Sequence, residues 1–264
     1  MPELPDVEIR KRYIDSTCLH QKIASVEVND PIVLDGLTPQ SLGRALADQS
    51  FESTQRHGKY LFVELNDHKW MSMHFGMTGD LKYFKKTDEK PDYEQVLFHF
   101  KNGYQLAYVM PRKLGEIRLI DSVDTFLDEK ELGPDALDLD FDKFYDLLAD
   151  RRGMIKSTLM NQEVLAGLGN VYSDEILFQA RIYPRAQISD LNRKQLRAVN
   201  DAMQEVLKTV IEQGANPGDF PPSYLTPHRS EGESCPRCGG EIQKIEVSGR
   251  SGFYCPHCQS KKDK

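Results

Sequence analysis

Apolar residues recur along this chain with two different periods, and the change falls after residue 120. From 21 to 120 the pattern alternates. Ile23/Val26/Val28, Tyr60-Leu61-Phe62-Val63, Met71/Met73/Phe75, Leu81/Tyr83, Val96/Phe98/Phe100, Leu106/Tyr108 and Ile117/Leu119 predict strands, whose successive side chains face opposite sides of a sheet. Asn102-Gly103 lies between two of these runs and predicts a tight hairpin. Ahead of them, residues 5–17 predict a helix: Pro5 fits a first turn, and Asp6 and Glu8 complement the positive end of the helix dipole. This half reads as a β-sandwich or barrel with a leading helix.

After residue 140 the spacing becomes helical. Phe141 to Leu148, Ile155 to Met160 and Val171 to Gln179 predict short helices. The longest helix is expected to begin near Ser189 or Asp190. Its stripe of Leu196, Val199, Met203, Val206, Leu207, Val210 and Ile211 is core rather than a site, and Gly214 ends it. Asn216-Pro217 to Pro227, with Pro221-Pro222, predicts a loop. No internal repeat or low-complexity segment is visible. The layout is therefore 1–120, a β domain; 121–140, an acidic hinge; 141–230, a helical domain; and 231–264, a cysteine-bearing hairpin.

Composition adds limits. A hydrophobic fraction of 39% and a charged fraction of 28% are those of a globular chain. No apolar run approaches the roughly 20 residues of a membrane helix, and the acidic start Met1 to Asp6 lacks a signal-peptide apolar segment. The net charge of −7 disfavours a nucleic-acid partner only while it is read globally. Residues 121–150 hold eleven acidic and two basic residues, a net of −9, so the rest of the chain is +2. Binding follows the local field.

The strongest chemical signal is Cys235-Pro-Arg-Cys238, then sixteen residues, then Cys255-Pro-His-Cys258. Two Cys-x-x-Cys knuckles at this separation have the spacing of a zinc ribbon, in which a hairpin brings four thiolates to one tetrahedral ion. Gly239-Gly240 permits the turn, and Ile242, Val247, Phe253 and Tyr254 suit the two strands. The alternative is two disulfides. An odd fifth cysteine, Cys18, together with metal spacing of the other four, argues for a reducing cytosol.

Six further features are individually modest. Removal of Met1 would expose Pro2 as a secondary amine. An α-amino group has a pKa of about 8 against roughly 10.4 for lysine, so it can attack an electrophilic carbon. Glu3 beside it is a candidate acid or base, although many chains begin Met-Pro by chance. Lys59, in Arg56-His57-Gly58-Lys59-Tyr60, lies at the expected start of a strand, where an ordinary surface lysine also fits. His74-Phe75-Gly76-Met77-Thr78-Gly79 is a tight loop that presents Met77 as a wedge or buries it as core. Pro111-Arg112-Lys113-Leu114-Gly115 pairs basic and apolar groups, as in loops that enter a duplex. Ala166-Gly167-Leu168-Gly169-Asn170-Val171-Tyr172, preceded by Arg151-Arg152 and Lys156, offers backbone N–H groups suited to a phosphate. Arg250, among small residues at the hairpin turn, is free to reach outward to a phosphate.

In this order the features resemble the formamidopyrimidine-DNA glycosylase and endonuclease VIII family of base-excision repair enzymes, over nearly the whole chain. The Pro-Glu-Leu-Pro start, His74 to Gly79, Leu132-Gly133-Pro134, Gly167 to Tyr172 and the ribbon carry the resemblance. It implies an α+β fold in two domains: an N-terminal β-sandwich with a leading helix, and a C-terminal helical domain with a helix-two-turn-helix and a zinc-ribbon β-hairpin. It also implies a bifunctional DNA glycosylase and abasic-site lyase with one structural Zn²⁺, acting as a monomer on damaged double-stranded DNA in a bacterial-type cytosol, with no membrane. Pro2 would be the nucleophile at C1′, Glu3 would protonate the sugar ring oxygen, and Lys59 and Arg250 would serve the same centre. Met77, Arg112 and Leu114 would fill the gap left by an extruded nucleotide. Asn170 and Arg250 would grip phosphate, Arg151 and Lys156 would add backbone contacts, and Tyr93 would lie near the DNA.

The chain also departs from the family. Met110-Pro111-Arg112-Lys113-Leu114-Gly115 stands where Asp-Pro-Arg-Arg-Phe-Gly is common, so an aliphatic wedge replaces an aromatic one. Asp6 replaces a usual glutamate, and Tyr93 replaces a frequent histidine. The segment from Gly214 to Cys235 is shorter than in the 8-oxoguanine enzymes, and Thr226-Pro227-His228-Arg229 resembles the endonuclease VIII branch. Formamidopyrimidines or oxidised pyrimidines are then at least as plausible substrates as 8-oxoguanine. Two readings from other classes remain: a damage-binding protein without catalysis, and a zinc-ribbon nucleic-acid module unrelated to repair.

Overall fold

The computed structural model describes residues 1–260, which form two compact units. The first comprises Met1–Pro2 and Asp6–Lys130; the second comprises Glu3–Pro5 and Glu131–Lys264, of which residues up to 260 are described.

In the first unit, helix α1 (Leu4–Thr17) precedes two antiparallel four-stranded sheets. One has the order β1 (Ile23–Val28), β6 (Glu94–Phe100), β7 (Tyr104–Val109), β5 (Asp80–Lys85). The other has the order β2 (Phe51–His57), β3 (Tyr60–Leu65), β4 (Trp70–His74), β8 (Glu116–Ile120). Their facing sides share a core that includes Phe51, Leu61, Val63, Met71, Met73, Phe98, Leu106 and Ile117, with Val7 and Ile14 of α1 packed into it. A short helix α2 (Pro39–Leu46) is started by a capping box between Thr38 and Ser41.

The unbroken run Tyr60 to Val63 has a simple cause. Leu61 and Val63 face the sandwich core. Phe62, on the opposite face, joins Ile120 and Phe126 in a second small core edged by Tyr60, Trp70 and Val123. Phe126 belongs to helix α3 (Val123–Glu129), N-capped by Ser122. So the stretch expected to be an acidic hinge begins with a helix that belongs to the first unit, and the chain passes to the second unit at Glu131.

The second unit holds α4 (Phe141–Leu148), α5 (Ile155–Leu159), α6 (Asn170–Gln179) and α7 (Arg193–Glu212), then the hairpin of β9 (Gln243–Val247) and β10 (Arg250–Tyr254). Helix α7 starts later than expected. Ser189 and Asp190 lie in a 3-10 turn, and a capping box between Asn192 and Gln195 sets the start. At its other end Gly214 takes φ +64°, and the Ala215 N–H reaches back to the Val210 carbonyl at 2.8 Å, closing the helix as expected.

The turns between α5 and α6 are organised by Gln162. Its amide donates to the Met160 and Leu168 carbonyls and accepts from Gly167 N. Gly133 lies flat on this segment: its N–H donates to Gln162 O, and a Cβ there would come within 2.6 Å of the Val164 carbonyl. That close approach is the structural reason for a glycine in Leu132-Gly133-Pro134.

Candidate active site and nucleic-acid interface

The second unit includes Glu3 and Leu4, which it holds in place. Leu4 N–H donates to Gly167 O at 3.0 Å. Glu3 is buried, and its carboxylate accepts from the backbone N–H groups of Gly169 (2.7 Å), Val171 (2.8 Å) and Tyr172 (3.3 Å) at the start of α6. An anion is stable there because the helix N-terminus carries unsatisfied donors and a partial positive charge. Both glycines of the turn are needed. A Cβ on Gly169 would meet the Glu3 carboxylate carbon at 2.5 Å, and one on Gly167, at φ +114°, would meet Leu4 at 2.6 Å. This corrects the sequence reading, in which the Gly-x-Gly turn kept its N–H groups for a phosphate. The turn does bind an anion, but that anion is Glu3. Pro2 is the adjoining residue, half-buried, and carries Met1 in this structure.

Around the same helix end the structure gathers Lys156, Asn170 and Arg250. Lys156 is fully buried. Its ammonium donates to Asp174 (2.5 Å) and to the Asn170 amide oxygen (2.8 Å). Burial pushes its pKa down, opposed by Asp174. The ammonium therefore faces the protein, where the sequence reading expected a backbone contact with DNA. Asn170 donates in turn to Ser251 O at 2.7 Å, and Arg250, exposed beside Ser251, lies against the Met160 sulfur at 3.7 Å. Arg151 has another setting: it is exposed at the end of α4 and donates to the Leu147 carbonyl.

The first unit presents a different surface. Lys59 sits with Gly58 in the two-residue turn joining β2 to β3, where His57 pairs with Tyr60, rather than at the start of a strand. Gly58 takes φ +54°, which the turn requires. Across the sheet Tyr60 pairs with His74, their rings 4.9 Å apart. The His74 imidazole is held down to about 4, mainly by burial and then by the charges of Lys59 and Lys130. Its Nδ1 accepts from Gly76 N at 3.3 Å, consistent with a neutral ring at pH 7. The sequence pattern gave His74 no role; the structure places it within electrostatic reach of Lys59.

An unfolded histidine titrates near its ordinary value of 6.5 and the folded one near 4, so the unfolded chain takes up the proton first. The contribution of His74 is intact above pH 6.5 and declines as pH falls towards 4, by on the order of 3 kcal/mol in all. His74→Gln is expected to remove that slope in urea unfolding followed from pH 7 to pH 4.

Among the described residues, five large hydrophobics are exposed, and three are those the sequence nominated: Met77 (39%), Tyr93 (63%) and Leu114 (54%). They lie on loops that fasten one another. Met110 N–H donates to Tyr93 O, and Lys113 pairs with Asp30 at 2.6 Å. Gly76, at φ +52°, lies so close to the next loop that a Cβ would come within 2.5 Å of the Leu114 carbonyl. Arg112 is exposed on the same loop. These loops hold three large apolar side chains outward, open to a partner. Gly76→Ala is expected to cost about 2 kcal/mol, read as a lower midpoint in thermal unfolding, because both the backbone angle and the loop contact forbid a side chain.

The four hairpin cysteines complete the arrangement. Their sulfurs lie within 4.8 Å of one another, with Cys235–Cys258 at 3.9 Å and Cys238–Cys255 at 3.5 Å. A disulfide needs about 2.05 Å. Thiolates about 2.3 Å from a tetrahedral zinc stand roughly 3.8 Å apart, so this donor set fits zinc and excludes the disulfide alternative. Arg237 secures the knuckle to the C-terminal end of α6, donating to Phe178 O (2.9 Å) and to Gln179 (2.8 Å).

Comparison with known proteins agrees along the chain. The model of the formamidopyrimidine-DNA glycosylase N-terminal domain matches residues 1–117, that of the formamidopyrimidine-DNA glycosylase H2TH domain residues 132–219, and that of a zinc finger found in FPG and IleRS residues 232–261. The four thiolates thus hold a single structural zinc. A formamidopyrimidine-DNA glycosylase of Pelotomaculum thermopropionicum is 34% identical, covering 99% of this chain and 100% of that protein. The crystal structure of a Lactococcus lactis FPG mutant with DNA containing Fapy-dG superposes with a TM-score of 0.88 at 31% identity, covering 98% of this chain and 100% of that one. A structure of MutM with DNA containing carbocyclic 8-oxo-G gives 0.89 at 31% identity, with the same coverage. Among the described residues no helix is long and apolar enough to cross a membrane.

Proposed function

This chain belongs to the formamidopyrimidine-DNA glycosylase family, and from that premise we propose that it excises oxidised bases from duplex DNA and cuts the strand at the resulting abasic site, with Pro2 as nucleophile. The observation that carries this reading is the fixing of Glu3 on the N–H groups of Gly169, Val171 and Tyr172, because it holds a carboxylate beside the amine that removal of Met1 would create.

The Pro2 nitrogen attacks C1′, the glycosidic bond breaks, and the base leaves with its electron pair and takes a proton from water. The proton shed by the Pro2 nitrogen passes to the Glu3 carboxylate, which delivers it to the ring oxygen. The C1′–O4′ bond opens, and the nitrogen lone pair forms the iminium. Loss of a C2′ proton then expels the 3′ phosphate, and loss of a C4′ proton expels the 5′ phosphate. Water releases the sugar fragment and restores the amine. Covalent catalysis by an amine needs an unprotonated nitrogen at neutral pH, which an α-amino group supplies better than a lysine.

Lys59 assists this chemistry and contacts phosphate. Met77, Arg112 and Leu114 occupy the space of the extruded nucleotide, Tyr93 stands near the DNA, and Asn170 and Arg250 grip phosphate. Arg151 adds a backbone contact, and Lys156 acts by orienting Asn170. The zinc fixes the hairpin that carries Arg250. Four metal-binding thiolates and a buried Cys18 thiol support a reducing cytosolic compartment.

One observation bears on which lesion is excised. The segment after α7 is drawn onto α6 by Glu175, which accepts from Leu225 N (3.1 Å), Thr226 N (2.7 Å) and the Thr226 hydroxyl (2.6 Å). This compact course supports formamidopyrimidines and oxidised pyrimidines at least as strongly as 8-oxoguanine. The test is cleavage of duplexes carrying each lesion, with an abasic site as control. Base release followed by strands ending in phosphate on both sides supports the reading. Binding without cleavage of any of the four duplexes makes the protein a damage-binding relative.

A further inference from the structure

Asp174 is a buried anion on α6, one turn beyond Asn170, that the chemistry above does not use. Its first oxygen accepts from Lys156 at 2.5 Å. Its second accepts from Arg229 Nη2 at 2.8 Å, Arg229 Nε at 3.2 Å and the backbone N–H of Phe253 at 3.1 Å. Two of these partners come from distant parts of the sequence: Arg229 from the segment after α7, and Phe253 from the zinc hairpin. Arg229 also covers the Phe253 ring, 5.3 Å from its centroid, and donates to Asn170 O at 3.4 Å.

The hairpin is shaped to fit this centre. A Cβ on Gly252 would come within 2.8 Å of the Asp174 carboxylate and collide with the Lys156 ammonium. The strand therefore lies directly on the ion pair, and only glycine permits it. Ser251 O and Phe253 N, one on each side of Gly252, are both bonded to α6 side chains. Arg250 precedes this fastened tripeptide. Its backbone is thus held by two bonds that converge on one face of α6, whereas the zinc knuckle is secured separately, at the other end of the helix, by Arg237.

We propose that Asp174, with Arg229 as its outer partner, is a positioning residue for the phosphate grip: it fixes the hairpin tip on α6 so that Arg250 is held in register with Asn170. This rests on the DNA-repair reading above. A carboxylate suits the task because it accepts from two cations and a backbone N–H at once, and charge-assisted bonds are about twice as strong as neutral ones. Zinc is necessary but not sufficient: the metal closes the base of the hairpin, and the bonds to Asn170 and Asp174 seat its tip.

The test is equilibrium binding of a fluorescent duplex carrying a tetrahydrofuran abasic analogue, measured across a salt series, for holoprotein of wild type, Arg250→Ala, Asp174→Asn and Arg229→Gln. Zinc content and circular dichroism check each fold. Loss of one phosphate contact makes the slope of log K against log salt shallower by about 0.9. Arg250→Ala is expected to show that change with about 10- to 100-fold weaker binding. Asp174→Asn and Arg229→Gln are expected to reproduce the shallower slope while keeping one zinc, and to add nothing when combined with Arg250→Ala. A merely structural weakening leaves the slope unchanged and adds to Arg250→Ala, which overturns the inference.

Removing a buried anion strands two cations. If Asp174→Asn does not fold, Arg229→Gln decides by itself, because it leaves the Lys156–Asp174 pair intact. A wild type with no preference for the abasic duplex overturns the function itself. A wild type that binds, with the slope lowered by Arg250→Ala but not by Arg229→Gln, overturns this inference alone.

Discussion

Stripping the zinc, or replacing Cys255 with serine, is expected to weaken binding to abasic duplex by about 100-fold, equivalent to about 2.7 kcal/mol. Cys255 is buried with Cys235, Ile242, Phe178 and Leu225 in a small core that has few other apolar members. A hairpin of ten strand residues, five in each strand, cannot hold itself in water. Without the metal the knuckle opens, and Arg250 is lost with it as a charge-assisted phosphate donor. Such bonds contribute about 1.5–3 kcal/mol each. The sandwich of the first unit has its own core, so it is expected to remain folded. The check is a titration with chelator that follows zinc release, DNA binding and circular dichroism together. Undiminished binding by zinc-free protein would contradict this.

The second large effect concerns the first residues. A protein that retains Met1, or whose amine is acetylated, has an amide where the nucleophile should be. Covalent trapping by borohydride on abasic DNA is expected to fall at least about 10³-fold, roughly 4 kcal/mol of transition-state stabilisation, while DNA binding changes little. Pro2→Gly keeps an amine and is expected to trap weakly rather than not at all. The separation of the two readouts matters: loss of trapping with binding intact places the defect in chemistry, whereas loss of both would point to the Glu3 contacts at the start of α6.

Much of the architecture was visible as periodicity. Alternation marked six of the eight sandwich strands, an unbroken apolar run marked β3, and the stripe on α7 marked the helical core. β2 escaped because Phe51–His57 has one apolar residue at its start; its place comes from pairing with β3 along almost its whole length. α3 escaped because acidic composition read as solvated chain, whereas a single buried Phe126 against Phe62 and Ile120 holds it. At the site, residue types and order were legible, but their partners were not. The Gly-x-Gly turn announced an anion without saying that Glu3 supplies it. Lys156 looked like a surface cation and is buried because Asp174 answers its charge. Asp174 and Glu175 carry no local sign of burial: Asp174 is met by Arg229 and Phe253 and Glu175 by Leu225 and Thr226, all 50 or more residues away in the sequence. Long-range pairing of charges has no local signature.

The most direct test of the account is to trap Met1-free protein on abasic duplex with borohydride, digest the adduct and locate the modified residue by mass spectrometry. The account predicts the sugar remnant on Pro2, in the N-terminal peptide. A remnant on Lys59 or another lysine, with Pro2 unmodified, would contradict it.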